Sequence, residues 1–332
     1  MFREDRCNLC AECLERCQWM QTNHDQAVDW MQAMIAGEAT PVLGQCITCY
    51  ACNEYCPQNA NPFDLISSLQ EKYQVFLTPE AVHAEETKYE FIRELHGIPQ
   101  AKRVLDTCLF EKTDPNLLEG ELYQLPRIGG KPYFCWMLFS HMGAASIQEK
   151  HARVLVERLA LTGASEIVCF HDDCYAMLAH LAPEYGIEVP FRPVHLAEYL
   201  VEYLRSHPDR IRPLDMDIAY QRPCASRHTP EKEHFIDELF GLIGVRRIPR
   251  QYDREEALCC AAIQLLLGNG DPREAQECNI LDAKGNGAQA MVCLCPMCMH
   301  NLAWVAGGHE MPVLFLGDLV RMSLGEIDSG LK

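Results

Sequence analysis

AMVCLCPMCMHNL, residues 290–302, reads as a short apolar strand that turns at once into a helix carrying two thiols, Cys295 and Cys298. EIVCFHDDCYAML, residues 166–178, follows the same plan with His171 and Cys174 in the corresponding places. In each copy a β-branched strand delivers a ligand pair to the start of a helix, where partial positive charge favours thiolate. Both copies continue into a second apolar strand and helix, Val194 to Leu204 in one and Leu314 to Leu324 in the other. This alternation implies parallel sheets with pockets at the carboxyl ends of the strands. Residues 99–213 and 214–332 are therefore predicted to be two α/β lobes built on one duplicated plan.

The second lobe offers more sulfur than a zinc ion can use. Besides Cys295 and Cys298 it holds the doublet Cys259-Cys260 and, further upstream, Cys224. These lie too far apart for a local zinc knuckle, so only a folded domain can gather them. Tetrahedral zinc takes four ligands, whereas five soft thiolates suit an iron–sulfur cluster. Aligning the lobes backward from the ligand pair sets Cys224 opposite Cys108 and the doublet near Ser140 and His141. An insertion around residues 268–272 accounts for the unequal later gaps. The first lobe then presents Cys108, His141, His171 and Cys174, a set suited to zinc; the alternative is a lobe without metal whose two histidines line a cleft. Cys135, Cys169, Cys278 and Cys293 have no ligand role in this scheme and are expected to be small buried fillers. Cys293, two residues before Cys295, is also a competitor for a ligand position. Arg222, Arg227 and His228 flank Cys224 and suggest an anionic substrate whose carboxylate or sulfonate an arginine could clamp, although an arginine in such a loop is more often structural.

Upstream of the lobes, Cys7, Cys10, Cys13 and Cys17 form one run and Cys46, Cys49, Cys52 and Cys56 a second, each spaced C-x-x-C-x-x-C-x-x-x-C. Each run matches the bacterial ferredoxin ligand pattern, in which the fourth cysteine reaches across to the other cluster. One cubane [4Fe–4S] cluster is thus assigned to Cys7, Cys10, Cys13 and Cys56, and another to Cys46, Cys49, Cys52 and Cys17. Zinc ribbons would leave the third and fourth cysteines of each run without a role. Between the runs, Ala27, Val28, Trp30, Met31, Met34 and Ile35 recur at helical spacing, with Gly37 placed to end the helix. Asn61 and Pro62 predict the start of another, with Phe63, Leu65, Ile66, Leu69 and Tyr73 on one face. Residues 78–103 read as a helical linker, so residues 1–98 are predicted to be an α-helical two-cluster ferredoxin domain with its linker.

At 332 residues the chain has room for such a division, and its 19 cysteines are the anomaly in its composition. No apolar leader precedes Cys7 and no run of apolar residues is long enough to span a bilayer, so the chain is expected in the cytoplasm or on the cytoplasmic face of a membrane complex. Cysteines there stay reduced and serve metals or redox chemistry. A formal charge of −18 argues against nucleic acid and an anionic bilayer surface. There is no G-x-G-x-x-G after a strand and no G-x-x-x-x-G-K-[ST], which predicts electrons arriving from a partner protein and not from a bound nucleotide.

The spacing of Cys224, Cys259, Cys260, Cys295 and Cys298 resembles the CCG domain of the heterodisulfide reductase catalytic subunit and its relatives, with Ala261 where the family usually has Gly. Residues 1 to about 80 resemble the ferredoxin subunit of heterodisulfide reductase and the iron–sulfur subunits of glycolate and succinate oxidising systems, with Gln18 in place of the usual proline after Cys17. Their fusion in one chain resembles the membrane-linked heterodisulfide reductase catalytic subunit and its relative in the dissimilatory sulfite reductase membrane complex. The resemblance implies that the five cysteines hold a non-cubane [4Fe–4S] cluster that reduces a small or protein-bound disulfide, or oxidises thiols. It also implies partners in a redox complex: a flavoprotein, a hydrogenase or dehydrogenase, or a membrane quinone or cytochrome subunit. Because the first lobe lacks the doublet, a mechanism with one such cluster per lobe is not implied. The alternative is an electron-transfer subunit of a flavin-dependent 2-hydroxy-acid or glycerol-3-phosphate dehydrogenase complex that delivers electrons to a quinone.

Overall fold

A computed structural model describes residues 1–268 and 271–328. Residues 269 and 270 of the expected insertion, and 329–332 at the end of the second lobe, lie outside the described residues. Among the described residues, eight strands form two four-stranded parallel sheets. The first contains β1 (Arg103–Asp106), β2 (Arg127–Ile128), β3 (Glu166–Cys169) and β4 (Arg192–His195). The second contains β5 (Met216–Gln221), β6 (Val245–Arg247), β7 (Ala290–Cys293) and β8 (Val313–Phe315). Strand order is β2-β1-β3-β4 in one and β6-β5-β7-β8 in the other, the same arrangement twice.

Register explains why the chemistry collects at one end of each sheet. Asp106 pairs with Cys169 and Cys169 with His195; in the second sheet Gln221 pairs with Cys293 and Cys293 with Phe315. Adjacent strands thus finish level, and the loops that follow them emerge side by side. β3 and β7 sit in the middle of their sheets with Ile167, Val168, Met291 and Val292 fully buried, as a parallel sheet covered on both faces requires. The lobes share one apolar core, in which Phe170 and Phe315 pack with ring centroids 5.2 Å apart.

The first 89 residues are helical. His24–Ile35 begins where the Asn23 side chain accepts the Gln26 N–H at 3.0 Å, buries Ala27, Met31 and Met34, and gives way to Gly37 at φ 80°. Pro62–Lys72 buries Phe63, Ile66 and Leu69, but Asn61 starts it from the left-handed region, φ 55°, without a side-chain cap. The linker helix is shorter than its charged sequence suggests: Pro79–Tyr89, capped by Thr78, after which the chain is irregular up to β1. It is fastened to the first lobe, with Glu86 accepting from Lys150 at 2.6 Å and Tyr89 stacked on Phe134 at 4.4 Å. Among the described residues no helix is long and apolar enough to cross a membrane.

Candidate metal centres and the cavity between the lobes

One local arrangement recurs four times: a cysteine, one left-handed residue, then a helix. Cys10 precedes Ala11 (φ 61°) and helix Glu12–Glu15; Cys49 precedes Tyr50 (φ 60°) and Ala51–Tyr55. Cys135 precedes Trp136 (φ 64°) and Met137–His141; Cys260 precedes Ala261 (φ 57°) and Ala262–Leu267. A single left-handed residue between extended and helical backbone makes a concave turn in which successive N–H groups can face an anionic group. Several N–H groups do meet sulfur: Thr48 donates to Cys46 at 3.4 Å, Ala60 to Cys56 at 3.3 Å and Ala261 to Cys259 at 3.3 Å. None of the 19 cysteines is in a disulfide.

The amino-terminal thiols fall into two neighbourhoods. Burial, and then Cys56, Cys10 and Cys7, push Cys13 up to about 12. Cys17 is pushed up to about 11 by burial and then by Cys49, while Cys46 rises through burial and then Cys49 and Cys17. Cys52 lies between the groups, raised by burial and by members of both. Thiols crowded this closely in a buried site resist ionisation unless a cation shares their charge, the condition a soft metal centre meets.

In the second lobe, the short 3₁₀ stretch Cys224–His228 follows β5, Cys295 caps the helix Pro296–Gly308, and Cys298 lies in its first turn. Cys224 donates to Cys259 at 3.2 Å. Hydrogen bonds from Cys259 and Cys298 bring Cys260 down to about 6 against the effect of burial, and Cys298 likewise lowers Cys295. All five thiols border one cavity of about 390 Å³. Cys49 stands close by: after burial and the opposing charge of Arg227, the Cys224 charge raises it. Of the amino-terminal cysteines, Cys49 is thus within electrostatic reach of Cys224.

The first lobe lines the same cavity with Cys108, Cys135, His141 and His171 but not Cys174, a different set from the one its sequence suggested. Cys108, Cys135 and Cys174 are buried with their sulfur atoms within 4.8 Å of one another, and Cys135 is equally close to His171 and Asp173. His171 lies between the lobes: its Nε2 is 3.3 Å from Cys295 Sγ, while its buried Nδ1 has no hydrogen-bond partner. His141 borders the cavity, but its Nδ1 donates to the Thr48 carbonyl at 2.7 Å, and burial holds it down to about 4, a neutral ring. The expected alignment of the doublet with Ser140 and His141 thus gives way to Cys135-Trp136 opposite Cys260-Ala261, and Cys135 takes the place assigned to His141. Its signal in the sequence was a cysteine just ahead of a helix, which the backward alignment passed over. Cys169 and Cys293 are fully buried strand-end residues, whereas Cys278 is exposed and fills no core.

The arginines beside Cys224 do not reach the cavity. Arg222 donates to Glu54 at 2.8 and 2.9 Å and Arg227 to the same carboxylate at 2.6 Å, with both guanidinium groups buried. His228 packs on Tyr50 and His180, where burial brings it down to about 3. The clamp on an anionic substrate is therefore replaced by a buried ion-pair cluster that fastens the helix Ala51–Tyr55 to the second lobe.

No protein-family model matches the sequence. One component of the dihydromethanophenazine:CoB–CoM heterodisulfide reductase of Methanosarcina mazei is 25% identical over 191 residues, which span 53% of this chain and 45% of that protein. In fold, the chain is similar to a crystal structure of a hypothetical protein from Helicobacter pylori, with TM-score 0.63 and 13% identity. That match covers 92% of this chain and 65% of the other.

Proposed function

We propose that this heterodisulfide reductase-like protein serves as the iron–sulfur component of a multi-subunit oxidoreductase and acts on a disulfide, or on thiols in reverse. In this reading Cys7, Cys10, Cys13 and Cys56 hold one cubane [4Fe–4S] cluster, and Cys46, Cys49, Cys52 and Cys17 another. Cys224, Cys259, Cys260, Cys295 and Cys298 hold the non-cubane cluster. The clusters would supply one-electron transfer and a place for a disulfide to take up two electrons. The observation that carries the reading is that five unbridged thiols border a single cavity, with Glu54, on the helix that follows Cys49, ion-paired to the arginines flanking Cys224.

The residues suit that task. Cys260 and Cys295 have thiolate character within the group, the left-handed turn at Ala261 directs an N–H onto Cys259, and the Glu54 ion pairs fix the amino-terminal region against the second lobe. The first-lobe set of Cys108, Cys135, His171 and Cys174 fits a tetrahedral zinc in donor type, with the Nδ1 of His171 making no hydrogen bond and lying 3.8 Å from Asp173. The test is paramagnetic resonance of the anaerobically purified protein after thiol oxidation. A thiol-dependent signal that Cys259→Ser abolishes, with the amino-terminal signals kept, supports the reading. Its absence from wild-type protein with normal amino-terminal signals favours an electron-transfer role in which a partner does the chemistry.

A further inference from the structure

We infer that, whatever the five-thiol centre acts on, the outer face of the second lobe is a docking surface for a partner protein, formed by the helices Ala262–Leu267 and Pro296–Gly308. The partner it fits has a contact surface that is apolar at its centre and ringed by lysine or arginine. A helix with one face in water ordinarily carries charge there. Pro296–Gly308 has no aspartate, glutamate, lysine or arginine in its 13 residues, yet Met297, His300, Ala303, Trp304, Gly307 and Gly308 are exposed. Trp304 is 74% exposed. Ala262–Leu267 is equally uncharged and buries none of its six residues, with Leu265 62% exposed. The two helices adjoin. Asn301 lies one turn from both Met297 and Trp304 on the same face, and its Nδ2 donates at 2.8 Å to the Cys260 carbonyl, just ahead of Ala262–Leu267. Gln276 donates to the same carbonyl at 2.9 Å, so the helix Arg273–Gly285 borders the patch.

Charge decides what covers the patch. An uncharged centre rich in Trp, Leu and Met has the make-up of a protein interface core, with charge kept to the rim. The rim here is acidic: Asp271, Glu274 and Glu277 are exposed on one side and Glu310 past the end of Pro296–Gly308. Of the cations beside them, Arg273 is bonded to Asp271 at 2.9 Å and Lys284 to the His309 carbonyl at 2.6 Å. Such a rim favours basic groups opposite. A second copy would bring the same acidic rim and a further formal charge of −18, and an anionic bilayer is repelled likewise. Neither Gly307 nor Gly308 has an atom outside its own helix within 4 Å of where a Cβ would stand, which leaves room for a partner chain to come close. In the test, photoreactive p-benzoylphenylalanine replaces Trp304 in the producing cell, the anaerobically purified complex is irradiated, and adducts are mapped by mass spectrometry. The expected adduct is with one partner protein, on an apolar segment flanked by lysine or arginine. Leu265→Glu, and separately the pair Glu274→Lys and Glu277→Lys, should each lower its yield about tenfold at unchanged iron per chain, whereas Val154→Glu, at an exposed apolar site on the first lobe, should not. The charge-reversed pair decides the matter if Leu265→Glu loses iron. Adducts with a second copy, with lipid, with an acidic segment or with nothing would overturn the inference, as would a yield that the charge-reversed pair leaves unmoved. None of these outcomes alters the thiol-dependent resonance on which the proposed function is tested.

Discussion

Glu54 carries more than its position on a five-residue helix suggests, because two buried guanidinium groups depend on its carboxylate. Removing one partner of a buried ion pair leaves charge uncompensated, so Glu54→Ala is expected to cost about 3–5 kcal/mol, read as a fall in the denaturant midpoint. An unchanged midpoint would show that Glu233, 3.3 Å from Arg222, suffices. Ala261 carries a smaller penalty. Its left-handed backbone is disfavoured for a residue with a Cβ, so Ala261→Gly should raise stability by up to about 1 kcal/mol in the same measurement. In the first lobe the prediction is a contrast: Cys135→Ala lowers bound zinc and His141→Ala leaves it unchanged, measured by elemental analysis after anaerobic purification. The reverse result would restore His141 as the ligand.

At the level of elements, β3, β7, the strand and helix that follow each, and two amino-terminal helices are legible in the sequence, whereas β1, β2, β5, β6 and the helices Ala145–Ala160 and Arg273–Gly285 are not predicted from it. The apolar runs that form β3 and β7 are buried on both faces, and the spacing of Ala27, Met31 and Met34 predicts a helix that does end before Gly37. The cysteine turns are not legible in that way, because Ala11, Tyr50, Trp136 and Ala261 adopt left-handed backbone without glycine to announce it. The role of Arg222 is equally hidden, since its partner Glu54 is 168 residues away in the chain. Charge also ties elements together where the lobes meet. Glu198, on the helix Leu196–Ser206, accepts from Arg192 and, at 3.1 Å, from Lys232 across the lobe boundary. Burial alone would raise its carboxyl, but these two cations outweigh it and hold it below the ordinary value. Its stabilising effect is thus present above the unfolded carboxylate pKa, about 4.3, and is lost as pH falls through the lower folded value. Thermal unfolding of Glu198→Gln should lie below wild type at pH 6 and converge on it in acid; parallel curves would contradict this.

For the whole molecule, duplication followed by divergence explains the asymmetry. Two sheets of identical strand order open onto one cavity, one bringing five thiols and the other Cys108, Cys135 and two histidines, with Cys174 close to those two thiols. The amino-terminal helices lie against both lobes, through Thr48 to His141 on one and Glu54 to Arg222 and Arg227 on the other. In the proposed function, electron delivery and bond cleavage meet at this contact. Iron per chain tests this most directly, in wild-type protein and in the Cys259→Ser, Cys260→Ser double variant, both purified anaerobically. The account predicts ~12 irons in the wild type and ~8 in the variant, the loss of one four-iron centre. Equal iron in the two proteins would contradict it.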